Sequence, residues 1–122
     1  MILVDSSVWI DHLRTGEPTL VELLNGNNVL AHPFVVGELA CGNLKNRKMV
    51  LSLLQDLPTI QIATDDEVLF FIERHELMGQ GIGYVDAHLL AAVMLEGTAR
   101  LWTRDKRLGS VAEAMKLAFQ TA

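Results

Sequence analysis

The chain has 122 residues, a mass of 13.5 kDa and a net charge of −5, with half of its residues hydrophobic. This suits a single domain over 1–122 with a core of its own and an apolar excess to be covered by a second copy, a homodimer. The longest apolar stretch, 89–95, is far short of the roughly 20 residues a bilayer span needs, the start lacks the basic region of a secretory signal, and one cysteine excludes an internal disulfide, which together point to a cytoplasmic, membrane-free protein.

In chain order, 2–4 is a run of strand formers, and 7–14 follows with Val8, Ile10 and Leu13 at helical spacing. Pro18 opens a second helix over 19–24, since proline suits a first turn. A strand at 29–31 leads to Pro33 and a helix over 34–44, apolar at 35, 36, 39 and 40. After a helix at 49–54 and a strand at 59–62, Thr64 and Glu67 have the spacing of a capping box ahead of a helix over 68–78. Asp65, Asp66 and Glu67 therefore read as capping and dipole residues. Gly79, Gly81 and Gly83 lack both the spacing and the preceding strand of a phosphate-binding loop and read as a connection. A strongly apolar helix over 84–96 holds Asp86 in its first turn, a strand lies at 100–103, and a turn and helix occupy 106–119. Short strands alternating with helices predict an α/β fold whose parallel sheet is covered on both faces. Ligands in such folds gather outside the carboxyl ends of the strands.

That rule gives four acids a common address. Asp5 follows the first strand directly and Asp105 follows the last by two residues, while Glu38 and Asp86 stand in helices that right-handed crossovers start from the same edge. Singly, each has a plainer explanation: Asp5 and Asp86 as helix N-terminal residues, Glu38 as an exposed side chain, Asp105 as a turn cap. Jointly they would repel unless a cation or shared protons compensated. Mg²⁺ or Mn²⁺ meets that need, because both take oxygen ligands and can activate water beside a phosphate.

The motifs resemble those of the PIN-domain ribonucleases, and within them the VapC toxins of bacterial toxin-antitoxin systems. The resemblance rests on Ile2-Leu3-Val4-Asp5-Ser6-Ser7-Val8-Trp9-Ile10-Asp11, Val36-Gly37-Glu38-Leu39, Tyr84-Val85-Asp86-Ala87-His88-Leu89-Leu90-Ala91-Ala92 and Leu101-Trp102-Thr103-Arg104-Asp105-Lys106-Arg107-Leu108, four segments in order over nearly the whole chain. It implies a three-layer α/β/α fold with a central parallel sheet, a Mg²⁺ or Mn²⁺ site and endonucleolytic cleavage of RNA. It also implies a VapB-like antitoxin partner that inserts a segment into the active-site groove, and a homodimer. Carried over by position, Asp5, Glu38, Asp86 and Asp105 surround the metal as catalytic residues, and Ser6 or Ser7 and Thr103 are the supporting hydroxyls. Leu108 stands where many relatives have an aromatic residue, a departure that bears on packing.

Taken alone, the net acidity argues against a nucleic-acid partner. Seven of the ten bases, however, fall in two segments, Lys45, Arg47, Lys48 and Arg100, Arg104, Lys106, Arg107, which hold one acid between them. Arg104, Lys106 and Arg107 are the candidate contacts to RNA phosphates, and a solvated helix end is the alternative for each cluster. Asp11 reads as a polar helix residue facing away from the site, Trp9 and Trp102 as packing residues, His88 as structural and Cys41 as a small buried residue. Two rival functions remain. One is an inactive PIN-like module that binds RNA or protein; the other is an aspartate-based phosphatase or phosphotransferase, which Ser7 disfavours by standing where such enzymes carry a second aspartate.

Overall fold

The computed structural model describes residues 1–120. At its centre β1 (Ile2–Val4) lies between β2 (Val29–Leu30) and β3 (Arg100–Trp102) in an all-parallel sheet of order β2-β1-β3. Leu3 pairs with Leu30 on one side and Leu101 on the other. Successive strand residues point to opposite faces, yet Ile2, Leu3 and Val4 are all buried. Both faces are therefore covered by helices, the α/β/α arrangement that the alternation predicts.

The helices are α1 (Ser6–Thr15), α2 (Pro18–Asn25), α3 (Pro33–Ala40), α4 (Arg47–Asp56), α5 (Asp65–Arg74), α6 (Tyr84–Glu96) and α7 (Lys106–Ala114). Proline occupies the first turn of both α2 and α3, where its missing N–H is no loss. Helix α6 is buried continuously from Ala87 to Val93, as a helix that is apolar all round must be. Its small residues Ala87, Ala91 and Ala92 let it lie close to its neighbours. One contiguous core runs from Ile2 to Leu117, and each fully buried Leu within it, such as Leu3, Leu20, Leu89 and Leu101, contributes about 1.5–3 kcal/mol. Among the described residues no helix is long and apolar enough to cross a membrane.

Several boundaries differ from the predicted ones. The run at 59–62 forms one parallel bridge, Ala31 to Thr59, in which Ala31 N donates to Pro58 O at 2.8 Å and Ile60 N to Ala31 O at 2.9 Å. Pro58 has no N–H with which to extend the ladder, and the cap at Thr64 already starts the next helix. The predicted helix over 106–119 stops at Ala114; Lys116 turns back with φ 60°, and Ala118 forms a parallel bridge with Leu101 at the opposite edge of the sheet. Cys41 is exposed rather than buried. It is the C-cap of α3, off the stripe of Val35 and Leu39 by which that helix enters the core.

Candidate active site

Asp5 leaves β1 at its carboxyl end and becomes the N-cap residue of α1. Its backbone carbonyl accepts the first helical bonds, from Val8 N at 3.1 Å and Trp9 N at 3.3 Å, while its side chain does no capping. Instead Oδ2 accepts from Ser7 Oγ at 2.8 Å and Thr103 Oγ1 at 2.7 Å. Ser7 in turn accepts from Arg104 N at 3.0 Å, and Thr103 Oγ1 from Asp105 N at 3.1 Å. The carboxyl end of β3 is thereby tied to the start of α1. Ser6, half-buried beside them, makes no side-chain hydrogen bond among the described residues.

Asp105 is the N-cap residue of α7, and here the carboxylate does cap, with Oδ1 accepting from Leu108 N at 2.9 Å. Asp86, in the first turn of α6, reaches back so that Oδ2 accepts from Gly83 N at 3.2 Å. Each of the three aspartates thus commits one oxygen to protein donors and leaves the other without one among the described residues. Glu38 is exposed on α3. Its carboxyl is held above the usual range by burial of its surroundings and then by the charges of Asp5 and Asp86. Asp86 is raised by burial as well, with Asp5 and Asp105 adding to the shift and the Gly83 bond opposing it.

All four acids accordingly lie within one electrostatic neighbourhood, with Asp5 buried, Asp86 half-buried, and Glu38 and Asp105 open to solvent. Among the described residues none of the four forms a salt bridge; the three bridges present are His88 to Asp65 and Arg104 to Asp11 and Glu17. Nor do any three His, Cys, Asp or Glu side chains there close into a ready-made cage. Carboxylates without salt-bridge partners, three of them with an oxygen free of protein donors among the described residues, fit a hard divalent cation that keeps several waters and takes few ligands directly.

The basic edge is built differently from its predicted form. The Arg104 guanidinium lies 5.8 Å from the Trp102 ring centroid and is paired with Asp11, at 2.6 Å, and with Glu17. Asp11 therefore faces Arg104, and Arg104 is an internal clasp between α1, the start of α2 and the end of β3. Such pairing, 93 and 87 residues apart in sequence, leaves no local signal. Lys106 and Arg107 form no salt bridge among the described residues. Arg107 lies directly over Gly81, whose φ is 82°, and a Cβ added there would strike its Cδ and Nη1. The glycine loop ahead of Asp86 is thus a seat for Arg107. Arg47 closes the carboxyl end of α3 by donating to Gly42 O at 3.1 Å and to Ala40 O. Trp9 and Trp102 are core residues, and His88 is buried against Asp65, Tyr84 and Phe34.

Residues 2–114 match the PIN domain family. The chain is 55% identical over 108 residues to the protein named Ribonuclease VapC32 in Mycobacterium tuberculosis, in both strain CDC 1551 / Oshkosh and strain ATCC 25618 / H37Rv; the matched region is 88% of this chain and 87% of that relative.

Proposed function

The chain belongs to the PIN-domain family, and from that membership we propose that it is a Mg²⁺- or Mn²⁺-dependent endoribonuclease, the toxin of a VapBC-like toxin-antitoxin pair. The observation that carries the reading is the charge arrangement at the sheet's carboxyl edge. Burial and the charges of Asp5, Asp86 and Asp105 raise the proton affinity of Glu38 and Asp86, none of the four acids forms a salt bridge among the described residues, and three aspartates keep an oxygen without a protein donor there.

Asp5, Asp86 and Asp105 would hold the cation. When bound, it supplies charge neutralisation at the phosphate and lowers the pKa of an attacking water. The hydroxyls of Ser7 and Thr103 fix the Asp5 carboxylate by satisfying Oδ2. Glu38, whose raised pKa brings it nearer to neutrality, orients the water and takes its proton. Lys106 and Arg107, without a salt bridge among the described residues, meet the RNA phosphates.

The proposed antitoxin inserts a segment into a groove of about 790 Å³ between α1, α3 and α4, where Ile10, Leu13 and Met49 offer apolar contact and Glu38 stands on the wall. A homodimer and a cytoplasmic setting complete the reading, the dimer supported by an exposed apolar face on α5 and α6.

The test is to map cleavage sites across total RNA after brief expression of wild type and Asp5→Asn, alongside thermal shifts of both purified proteins with Mn²⁺. Cleavage and Mn²⁺ stabilisation in wild type, both absent in Asp5→Asn, are expected. Equal cleavage by the two proteins would overturn the assignment, and a wild type indifferent to Mn²⁺ would favour the binding module.

A further inference from the structure

The first turn of α6, which carries Asp86, is less enclosed than the middle of that helix. Tyr84 and Val85 are exposed, at 44% and 36%, while Ala87 to Val93 are buried. The N-cap residue is Gly83, which has no side chain to bond the first N–H groups of the helix, and Asp86 Oδ2 accepts only from Gly83 N. Helix ends without a side-chain cap fray more readily. A fraying turn would carry Asp86 with it.

A second device holds the turn from outside. Tyr84 and His88 share one face of α6 by their i, i+4 spacing, with ring centroids 4.7 Å apart. Both reach the same atom: Tyr84 Oη donates to Asp65 Oδ1 at 2.8 Å, and His88 Nε2 lies 3.2 Å from it. Asp65 is the first residue of α5, and its position is fixed by the capping box of Thr64 and Glu67, whose bonds measure 2.8 and 3.1 Å.

The chain of contacts continues to the helix of Glu38. His88 packs against Phe34, at 4.8 Å, and against His32, at 6.5 Å. His32 is the N-cap of α3, its Nδ1 accepting from Phe34 N at 3.0 Å. These partners assign both tautomers. An Nδ1 that accepts places the His32 proton on Nε2; an Nε2 that faces a carboxylate oxygen carries the His88 proton and leaves Nδ1 bare. The two ring nitrogens that remain, His32 Nε2 and His88 Nδ1, are buried and have no partner among the described residues. One is a donor and the other an acceptor, but they form no hydrogen bond with each other; the two rings meet only edge to face.

We propose that Asp65 is a positioning residue: through Tyr84 and His88, and from His88 to His32, it holds the helix starts that present Asp86 and Glu38 at the correct separation for the cation and the water. This inference rests on the nuclease reading above, and nothing in it requires Asp65 to touch RNA or metal.

The experiment compares wild type, Asp5→Asn, Asp65→Ala, Asp65→Asn and Tyr84→Phe by ¹⁵N imidazole spectra without metal, the Mn²⁺ midpoint in thermal shift, and kcat and KM on a short RNA. In wild type both His32 and His88 are expected to carry the proton on Nε2. Asp65→Ala is expected to weaken Mn²⁺ binding and lower kcat, each by about tenfold, the scale of outer-shell losses, with KM unchanged. Asp65→Asn keeps an Oδ1 acceptor for both donors and is expected to restore kcat. Wild-type kcat and Mn²⁺ midpoint in Asp65→Ala, or equal defects in Asp65→Asn and Asp65→Ala, would overturn the inference, as would a His88 proton on Nδ1. Should Asp65→Ala fail to fold, Tyr84→Phe removes one donor only and is expected to lower kcat about two- to threefold; an unchanged kcat there overturns it equally. Full cleavage by Asp5→Asn would sink the nuclease reading itself, whereas a dead Asp5→Asn beside a normal Asp65→Ala sinks only the positioning role.

Discussion

Asp5 and Asp105 occupy the same kind of position, the N-cap residue of a helix that follows a strand, yet only Asp105 uses its carboxylate as a cap. The difference lies in Thr103, whose hydroxyl draws Asp5 Oδ2 across the sheet edge and also receives Asp105 N. Thr103→Val keeps the shape and removes both bonds, so it should destabilise the fold by about 1–3 kcal/mol, the cost of stranding partly buried polar groups, as read by urea denaturation. A second residue-scale test concerns His32, whose pKa burial first, and then His88, lower to about 4 from an ordinary 6.5. The unfolded chain takes up this proton before the folded one does, so stability is lost as pH falls from 6.5 towards 4, by about 2–3 kcal/mol. His32→Asn retains a side-chain acceptor for Phe34 N but does not titrate, and should lose correspondingly less between pH 7 and 4.5. Glu38 and Asp86 act with the opposite sign, since raised carboxyl pKa values favour the folded state as pH falls; being common to both proteins, they cancel in the comparison. The four acids were legible in the sequence because acids at strand ends and helix starts are local signals. Arg104 was misread because its partners, Asp11 and Glu17, lie far away along the chain.

At the scale of elements, what the sequence concealed was where helices stop. The predicted helices over 68–78 and 106–119 both run past the observed ends at Arg74 and Ala114. In each case the chain closes with a Schellman motif. Leu77 N donates to Ile72 O at 3.0 Å and Glu76 N to Glu73 O at 3.3 Å; Leu117 N donates to Ala112 O at 2.8 Å and Lys116 N to Glu113 O at 3.0 Å. The left-handed residue such a motif needs is usually glycine, and here it is Glu76 with φ 52° or Lys116 with φ 60°. Without a glycine the apolar period runs on through the turn, and only the packing of Leu77 and Leu117 into the core reveals it. A side chain in that conformation costs roughly 1–2 kcal/mol, of which the greater unfolded-state entropy of glycine reclaims a part. Glu76→Gly and Lys116→Gly should therefore each raise stability modestly, by about 0.5 to 1 kcal/mol, readable as a higher denaturation midpoint with an unchanged m-value. The parallel sheet covered on both faces was legible, because burial on both faces of β1 demands an unbroken apolar run; the order β2-β1-β3 was not, since it is set by pairings far apart in the chain.

For the molecule as a whole, part of the apolar excess noted in its composition surfaces in two patches, each beside a groove. One is the wall of the groove beside Glu38, with Met49 at 59% exposure; the other is the outer face of α5 and α6, where Phe70 is 71% and Leu95 47% exposed beside a groove of about 430 Å³. Two such faces on one small chain would drive aggregation if both stayed open, and the proposed function supplies a cover for each: the antitoxin for the first, a second copy for the second. Each cover can be removed alone. Phe70→Lys places a charge where the proposed dimer buries an aromatic ring, a burial worth about 1.5–3 kcal/mol per side chain, and because the side chain is mostly in solvent in the single chain, the fold should not suffer. Sedimentation equilibrium of the antitoxin-free protein should then show Phe70→Lys as a monomer and Met49→Lys as a dimer, with thermal midpoints close to wild type in both. The opposite pattern, a dimer that survives Phe70→Lys and yields to Met49→Lys, would assign self-association to the groove beside Glu38. In that case the second copy and the antitoxin would compete for one surface, and the toxin could not be dimeric and inhibited at once.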